Sequence, residues 1–245
     1  MLDLRGGRYV ARPATTSSDI SACLALRAAA FRGGAPDEDA FDGASRHVMV
    51  EDRRTGEAAC TFRLAFYRGD EIARSYSGLR YDLSRLAGFP GVLLELGRFC
   101  IRSGAPDADI LRLALAALTR EVDAAGVTLL FGCSSFPGTD PAEHATALGY
   151  LAGRAPAPAD WAPGIGTPST VPLARFAQAA PPRRGLLALP PLLRSYLGLG
   201  GWTSDHAVID RDLGTTHIFT GVEIARIPPA RARALRLVAD VSQGA

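Results

Sequence analysis

Residues 93–101 read Leu-Leu-Glu-Leu-Gly-Arg-Phe-Cys-Ile, LLELGRFCI. Most of the stretch has the apolar, β-favouring composition of a buried strand. Yet it holds Glu95, Gly97 and Arg98. Charges are costly in a core unless paired, and glycine weakens a strand unless it serves a bulge or a close backbone approach. On a regular strand Glu95 and Arg98, three apart, face opposite sides. One extra residue in a β-bulge changes that parity, and Gly97 is the place for it. The expectation is an interrupted strand over Val92–Ile101, with Glu95 and Arg98 on one face beside a splayed strand end.

Working outward, residues 8–12 read as a first strand, and Ser17, Ser18 and Asp19 are candidate caps of a helix ending at Phe31. The stripe of that helix is Ile20, Cys23, Leu24, Ala28 and Phe31, with Arg27 on its edge, where a guanidinium needs an acid or water. An acidic, glycine-rich loop (GGAPDEDAFDG) leads to a strand HVMVED and a second strand AACTFRLAFY. In the latter, Arg63 faces away from Cys60, Phe62 and Leu64. Ile72–Gly78 reads as a strand or a loop. Beyond the central strand come a helix over 107–125, a buried strand VTLLFGCSSF, a short helix over 143–151 and a Pro-, Ala- and Gly-rich excursion or lid over 152–183. An interrupted apolar segment (189–202), two late strands and a fraying Arg-rich helix from Pro228 complete the chain. This is an α/β layout with a mixed, mostly antiparallel sheet flanked by helices. Residues 1–151 form the expected core, and residues 152–245 a C-terminal extension of the same unit.

Bulk properties narrow the classes. The 245 residues carry 27 basic side chains, all arginine, and a net charge of +2. No polyanion-binding field follows, so nucleic acid is not an expected partner. Cys23, Cys60, Cys100 and Cys133 are far apart, with neither CxxC spacing nor a disulfide framework, which reads as reduced, buried thiols and no metal site. No signal-peptide plan or membrane-length apolar run is present. The expected location is the cytoplasm, with room for peripheral contact at the inner face of the membrane. GCSSF lacks a G-x-S-x-G elbow, so Cys133, Ser134 and Ser135 read as strand-end packing and hydrogen bonding.

The ordered blocks LRAAAF (26–31), DAFD (39–42), RHVMV (46–50), TFRL (61–64), LELGRFCI (94–101) and LLFGCSSFPGTDP (129–141) resemble the ornithine–acyl carrier protein N-acyltransferases of ornithine-lipid synthesis. LPPLLRSYLGLG and HAVIDRDLGTTHIF (206–219) extend the resemblance over residues 8–225. A more distant likeness is to the acyl-homoserine-lactone synthases, through Arg27/Phe31, Asp39/Asp42, Arg63 and Glu95/Arg98. Both groups are GNAT acyltransferases, and the resemblance implies a GNAT-like fold with a bulged, splayed central strand. One departure concerns the loop after that strand. Coenzyme A users carry a glycine-rich pyrophosphate cradle there, whereas this chain reads Arg102-Ser-Gly-Ala-Pro-Asp-Ala-Asp, with acids that oppose an anion. A phosphopantetheine arm on a carrier protein, with its single phosphodiester, suits it better.

The implied reaction transfers a 3-hydroxy fatty acyl group from acyl carrier protein to the α-amine of L-ornithine, with no tightly bound cofactor. The alternatives are an acyl-homoserine-lactone synthase-like enzyme and a non-catalytic relative that binds carrier protein or lipid. Glu95 is the candidate base. N–H groups near Leu96, Gly97 and Arg98 are candidates for the oxyanion. Arg63 or Arg98 would fork the acceptor carboxylate, and Asp39 or Asp42 would hold the distal ammonium or orient an arginine. Arg27, Phe31, His47, Phe99, Ser134, Ser135 and Phe136 complete the expected surroundings. Phe62, Leu64, Phe99 and Phe131 offer an apolar slot for the acyl chain.

Overall fold

A helix begins where its first N–H groups find acceptors, and Thr16 supplies one for α1 (Ser17–Phe31). The computed structural model describes residues 3–104, 108–177 and 182–243. The cap is therefore Thr16, not Ser17, Ser18 or Asp19. Asp19 donates its N–H to Thr16 Oγ1 at 3.1 Å, and its carboxylate accepts the Thr15 and Thr16 N–H groups. This is the reciprocal pattern that favours an acid three residues after the cap. In chain order the other elements are β1 (Leu4–Gly6), β2 (Tyr9–Pro13), β3 (Arg46–Asp52), β4 (Glu57–Tyr67), β5 (Tyr81–Asp82), β6 (Val92–Ile101), α2 (Ala108–Ala125) and β7 (Val127–Pro137). They continue with α3 (Ala145–Leu151), β8 (Gly164–Ile165), β9 (Thr170–Pro172), α4 (Pro182–Ala188), α5 (Pro191–Gly198), β10 (Trp202–Asp210), β11 (Thr215–Glu223) and α6 (Pro229–Gln243). The predicted helix start at Asp107 lies outside the described residues.

The chain folds as two compact units. The first comprises Met1–Phe66, Leu96–Val127 and Pro229–Ala245. Its strands run β1-β2-β3-β4 and then the second half of β6, with β1–β2, β2–β3 and β3–β4 antiparallel. Ala14, Cys23, Leu26, Met49, Ala58 and Cys100 pack as its core. Both faces of β4 are covered, so Arg63 is as buried as Phe62. The C-terminal helix is anchored rather than frayed. Arg236 forks Asp123 of α2 with two bonds of 2.8 Å, and Ala239 is buried.

The second unit comprises Tyr67–Glu95 and Thr128–Pro228. The first half of β6 is followed by β7, β11, β10 and β9, with β7–β11, β11–β10 and β10–β9 antiparallel. The 152–183 stretch is no simple excursion. It contributes edge strand β9, because Val171 and Leu173 have apolar partners in a core with Phe136, Leu193 and Ile218. The apolar 189–202 segment holds α5, which starts at Pro191, a first-turn position where proline's missing N–H costs nothing. Residues 72–78 form no strand. Short 3₁₀ helices at Gly69–Arg74 and Ser77–Leu79 stand there. Ser75 Oγ bonds the Ile72 carbonyl at 2.6 Å and accepts the Gly78 N–H at 3.0 Å. A Cβ at Gly78 would lie 2.5 Å from the Ala73 carbonyl oxygen, so only glycine closes this turn. Among the described residues no helix is long and apolar enough to cross a membrane.

Candidate active site

Within the first unit, the loop between α1 and β3 brings three aspartates against arginines from α1, β4 and β6. Arg27, 1% exposed, donates Nε to Asp37 Oδ2 at 2.9 Å and both Nη groups to Asp42, at 2.6 and 3.0 Å. Arg63 donates to Asp39 (2.5 and 3.0 Å) and to Asp42 (2.8 Å). Arg98 spans Asp37 at 2.9 Å and Asp39 at 3.0 Å, and Arg32 reaches the other oxygen of Asp37 at 3.2 Å. Burial alone would raise the Asp42 carboxyl. Hydrogen bonds from Arg27, the Asp39 N–H and Arg63 overcome it and hold the group at about 2. Asp37 is likewise lowered, against burial, by Arg98 and Arg27. Arg27, Arg63 and Arg98 are thus each held by two aspartates. The arrangement clasps the loop to the sheet, and it sets Arg63 and Arg98 against protein carboxylates rather than open to an acceptor's.

Asp37 is the acid that sequence reasoning passed over. It lies in the same acidic loop, and its signal was an arginine on a buried helix stripe that needed two acids rather than one. Glu95, the candidate base, is held by Tyr76 and Ser77.

Val92–Ile101 runs as one strand, and its unusual backbone residue is Arg98, with φ +52°, rather than Gly97. A left-handed conformation costs a side-chain-bearing residue about 1–2 kcal/mol, which the two ion pairs of Arg98 offset. Gly97 instead makes room for a neighbour, since a Cβ there would stand 3.1 Å from Arg63 Nε and 3.4 Å from its Cγ. Because Arg63 is pinned by Asp39 and Asp42, it cannot swing clear. Gly97→Ala is therefore expected to lower stability by about 1–2 kcal/mol, read as a lower urea midpoint with unchanged slope. An unshifted midpoint would show that Arg63 has room to give.

Within the second unit, Glu95 is 5% exposed. Its Oε1 accepts the Ser77 N–H at 2.7 Å and the Ser77 hydroxyl at 2.6 Å, and its Oε2 accepts the Tyr76 N–H at 3.1 Å. The 3₁₀ turn thus presents consecutive N–H groups to one carboxylate. Ser77 Oγ also lies 3.5 Å from Cys133 Sγ. Tyr76 donates its hydroxyl to Asp210 Oδ2 at 3.0 Å, and Arg80 Nη2 sits 3.1 Å from the same oxygen. Asp210 Oδ1 accepts the N–H groups of Asp212 and Leu213 at the β10–β11 turn. His217 stands 4.0 Å from Asp210, and burial pushes its imidazole down to about 4, so it is neutral near pH 7. None of Tyr76, Ser77, Arg80, Asp210 and His217 was a candidate site residue in the sequence, although Asp210 and His217 lie in the HAVIDRDLGTTHIF block. The visible signals were the S-Y-S-G turn and the D-x-D-L-G turn, which say nothing of their meeting.

His47 is buried, with Nε2 3.2 Å from the Asp42 carbonyl oxygen. The Phe31 ring lies under the Arg98 guanidinium at 6.0 Å. Leu96 is buried, and Phe99 is half-buried and stacks on Phe62 at 5.6 Å. Phe62 and Leu64 are sealed inside the first unit, and Phe131 is core beside Phe219 in the second, so these three form packing rather than an open slot. Ser134 is buried and accepts from Thr220 Oγ1, Ser135 is exposed, and Phe136 is core. Desolvation pushes the Cys133 thiol up to about 12, with Glu95 and Asp210 adding to the rise and Ser77 and Arg80 opposing it. A thiol so raised is no nucleophile at neutral pH. Among the described residues no group of three or more His, Cys, Asp or Glu side chains is arranged to hold a metal ion.

Comparison with known proteins follows the same lines. The acetyltransferase (GNAT) domain pattern matches residues 25–115, which include the end of α1, the aspartate loop, β3, β4 and β6. The L-ornithine N(alpha)-acyltransferase of Rhodobacter capsulatus is 32% identical over 229 residues, covering 86% of this chain and 88% of that protein. The protein of the same name from Brucella abortus is 32% identical over 205 residues, covering 78% and 71%. Among solved structures, FeeM, an N-acyl amino acid synthase from uncultured soil microbes, aligns over 96% of this chain and 98% of its own, with 10% identity and a TM-score of 0.49. The acyl-homoserine-lactone synthase LasI aligns over 53% and 73%, with 16% identity and a TM-score of 0.42.

Proposed function

The chain belongs to the L-ornithine N(alpha)-acyltransferase family and is an acyltransferase with a GNAT-type fold, and on that premise we propose its reaction. A fatty acyl group, 3-hydroxylated, moves from the phosphopantetheine thioester of acyl carrier protein to the α-amine of L-ornithine, giving lyso-ornithine lipid and the free thiol. The observation that carries the reading is the buried Glu95 carboxylate fixed by the Tyr76 and Ser77 N–H groups. An ammonium has no lone pair, so the acceptor must lose a proton before attack. A positioned carboxylate takes that proton directly or through one water. The amine nitrogen then bonds the thioester carbonyl carbon, the carbon–sulfur bond breaks, and the thiolate leaves and is protonated. The Ser77 hydroxyl, 2.6 Å from Glu95, fixes the carboxylate's orientation. The product is a lipid, so peripheral contact with the membrane is part of the proposal.

The test is an assay of purified protein with a 3-hydroxyacyl carrier protein thioester, its coenzyme A counterpart, and a panel of ornithine, lysine, glutamine, glycine and S-adenosylmethionine. Nα-acylornithine formed faster with the carrier protein is the expected outcome. Release of acyl-homoserine lactone from S-adenosylmethionine, or equal rates with both donors, would overturn the acceptor or the donor assignment respectively.

A further inference from the structure

We infer that Arg80 receives the α-carboxylate of the amino acid acceptor, held in place for it by Asp210 and the Tyr76 ring. The inference rests on the reading above. An amino acid attacking through its α-amine brings a carboxylate two bonds from the nucleophile. Recognition of that carboxylate calls for a cation, and a planar guanidinium suits it best. Arg63 and Arg98, the sequence's candidates, are each held between two aspartates.

Arg80 differs in three respects. First, it is anchored on one side only. Its Nη2 lies 3.1 Å from Asp210 Oδ2, and its guanidinium carbon stands 5.8 Å from the Tyr76 ring centroid. Second, its Nε is buried with no hydrogen-bond partner among the described residues, while the side chain as a whole is 29% exposed. A buried N–H is seldom left unpaired without a reason. Third, Arg80 closes the 3₁₀ turn that holds Glu95. Its own N–H bonds the Ser77 carbonyl at 3.0 Å, while the N–H groups of Tyr76 and Ser77 bond the Glu95 carboxylate. One short turn thus carries both the cation and the donors that fix the base.

Asp210 cannot itself take the acceptor's distal ammonium. Its two oxygens already serve the Tyr76 hydroxyl, Arg80 and two backbone N–H groups. It is a positioning residue. The neutral His217 beside it, whose Nε2 is buried without a hydrogen-bond partner among the described residues, adds no positive charge to compete with Arg80.

The experiment compares kcat/KM for ornithine and for ornithinamide, which keeps both amino groups and lacks the carboxylate charge, in the wild type, Arg80→Gln and Arg80→Lys. In the wild type ornithine is expected to be preferred roughly 10- to 100-fold, the factor set by a charge-assisted hydrogen bond. In Arg80→Gln the preference falls towards one, chiefly through the KM for the acceptor, with the KM for the acyl donor unchanged. Arg80→Lys, a point charge without the fork, restores part of it. Removing Arg80 alone leaves Asp210 buried and charged, so Arg80→Gln/Asp210→Asn is measured as well. That pair recovers the fold without recovering the preference. A preference surviving in Arg80→Gln, or a variant whose donor KM rises as much as its acceptor KM, would overturn the inference and leave the acyl-transfer reading standing. If the wild type acylates another amino acid, that amino acid and its amide replace ornithine. No acylation of any amino acid would overturn both readings.

Discussion

Glu95→Gln is expected to lower kcat by roughly 10²- to 10⁴-fold at neutral pH, the range for loss of a positioned general base, while the protein still folds. The amide oxygen can accept both Ser77 donors as Glu95 Oε1 does at 2.7 and 2.6 Å. The amide nitrogen then meets the Tyr76 N–H, which bonds Oε2 at 3.1 Å in the native protein. One donor facing another costs about 1–3 kcal/mol, visible as a lower denaturation midpoint but tolerable in a chain of this size. Turnover and stability are therefore separable in one variant. The pH profile discriminates further. As pH rises, a growing share of free ornithine already carries a neutral α-amine and needs no base, so the deficit shrinks. A deficit that stays constant with pH would mean that Glu95 only holds the Tyr76–Ser77 turn. Turnover within threefold of wild type at neutral pH would remove it from the reaction.

The split between what the sequence showed and what it concealed follows the range of the interactions. LLELGRFCI read as an interrupted strand because polarity and glycine conflict locally with an apolar run, and the conflict is real: Arg98 has φ +52°. The strand limits, Val92–Ile101, are as read. The cause of Gly97 was not legible, because it depends on Arg63, which sits 34 positions earlier and is pinned by the aspartate loop. Arg27 illustrates the same boundary. Its place on an apolar stripe announced the need for an acid, but the choice of Asp37 together with Asp42 depends on how a 14-residue loop folds back (residues 32–45). The Tyr76–Asp210 bond joins residues 134 positions apart. Each reads alone as an ordinary turn residue, and no periodicity links them. Residues 72–78 read equally as a strand or a loop, because the donors of this turn serve a carboxylate rather than a neighbouring strand. The Arg-rich C-terminal stretch looked unstable as an isolated helix, and it is the Arg236–Asp123 fork and the burial of Ala239 that hold it.

Arg27→Leu is expected to produce the largest loss of stability, about 3–5 kcal/mol, the cost of removing one partner from a buried ionic group. The cost comes from desolvation rather than lost attraction. Leucine fits an apolar stripe beside Cys23 and Leu26, so the helix itself gains. The loss falls on Asp37 and Asp42, which burial disfavours as anions and which Arg27 stabilises with three of its four hydrogen bonds to the loop. An exposed pair provides the comparison. Arg46, with 68% of its side chain exposed, meets Glu121 at 3.1 Å, and Arg46→Leu should cost under about 1 kcal/mol. Equal effects at the two positions would show the buried cluster to be energetically ordinary. Acid titration gives an independent reading, with the sign set by which state binds more protons. His217 is lowered from 6.5 to about 4, so between these values the unfolded chain holds the extra proton and stability falls as pH drops from 6.5 to 4. Asp42, lowered from 3.8 to about 2, contributes stability that is present above 3.8 and lost towards 2. Acid unfolding of the native protein therefore has an upper limb from His217 and a lower limb to which Asp42 contributes. His217→Gln should remove the upper limb alone. Arg27→Leu should weaken the lower one, because without the guanidinium Asp42 no longer stays ionised so far into acid. A lower limb that is the same in Arg27→Leu as in the native chain would mean that Arg63 and the Asp39 N–H hold Asp42 without help from α1.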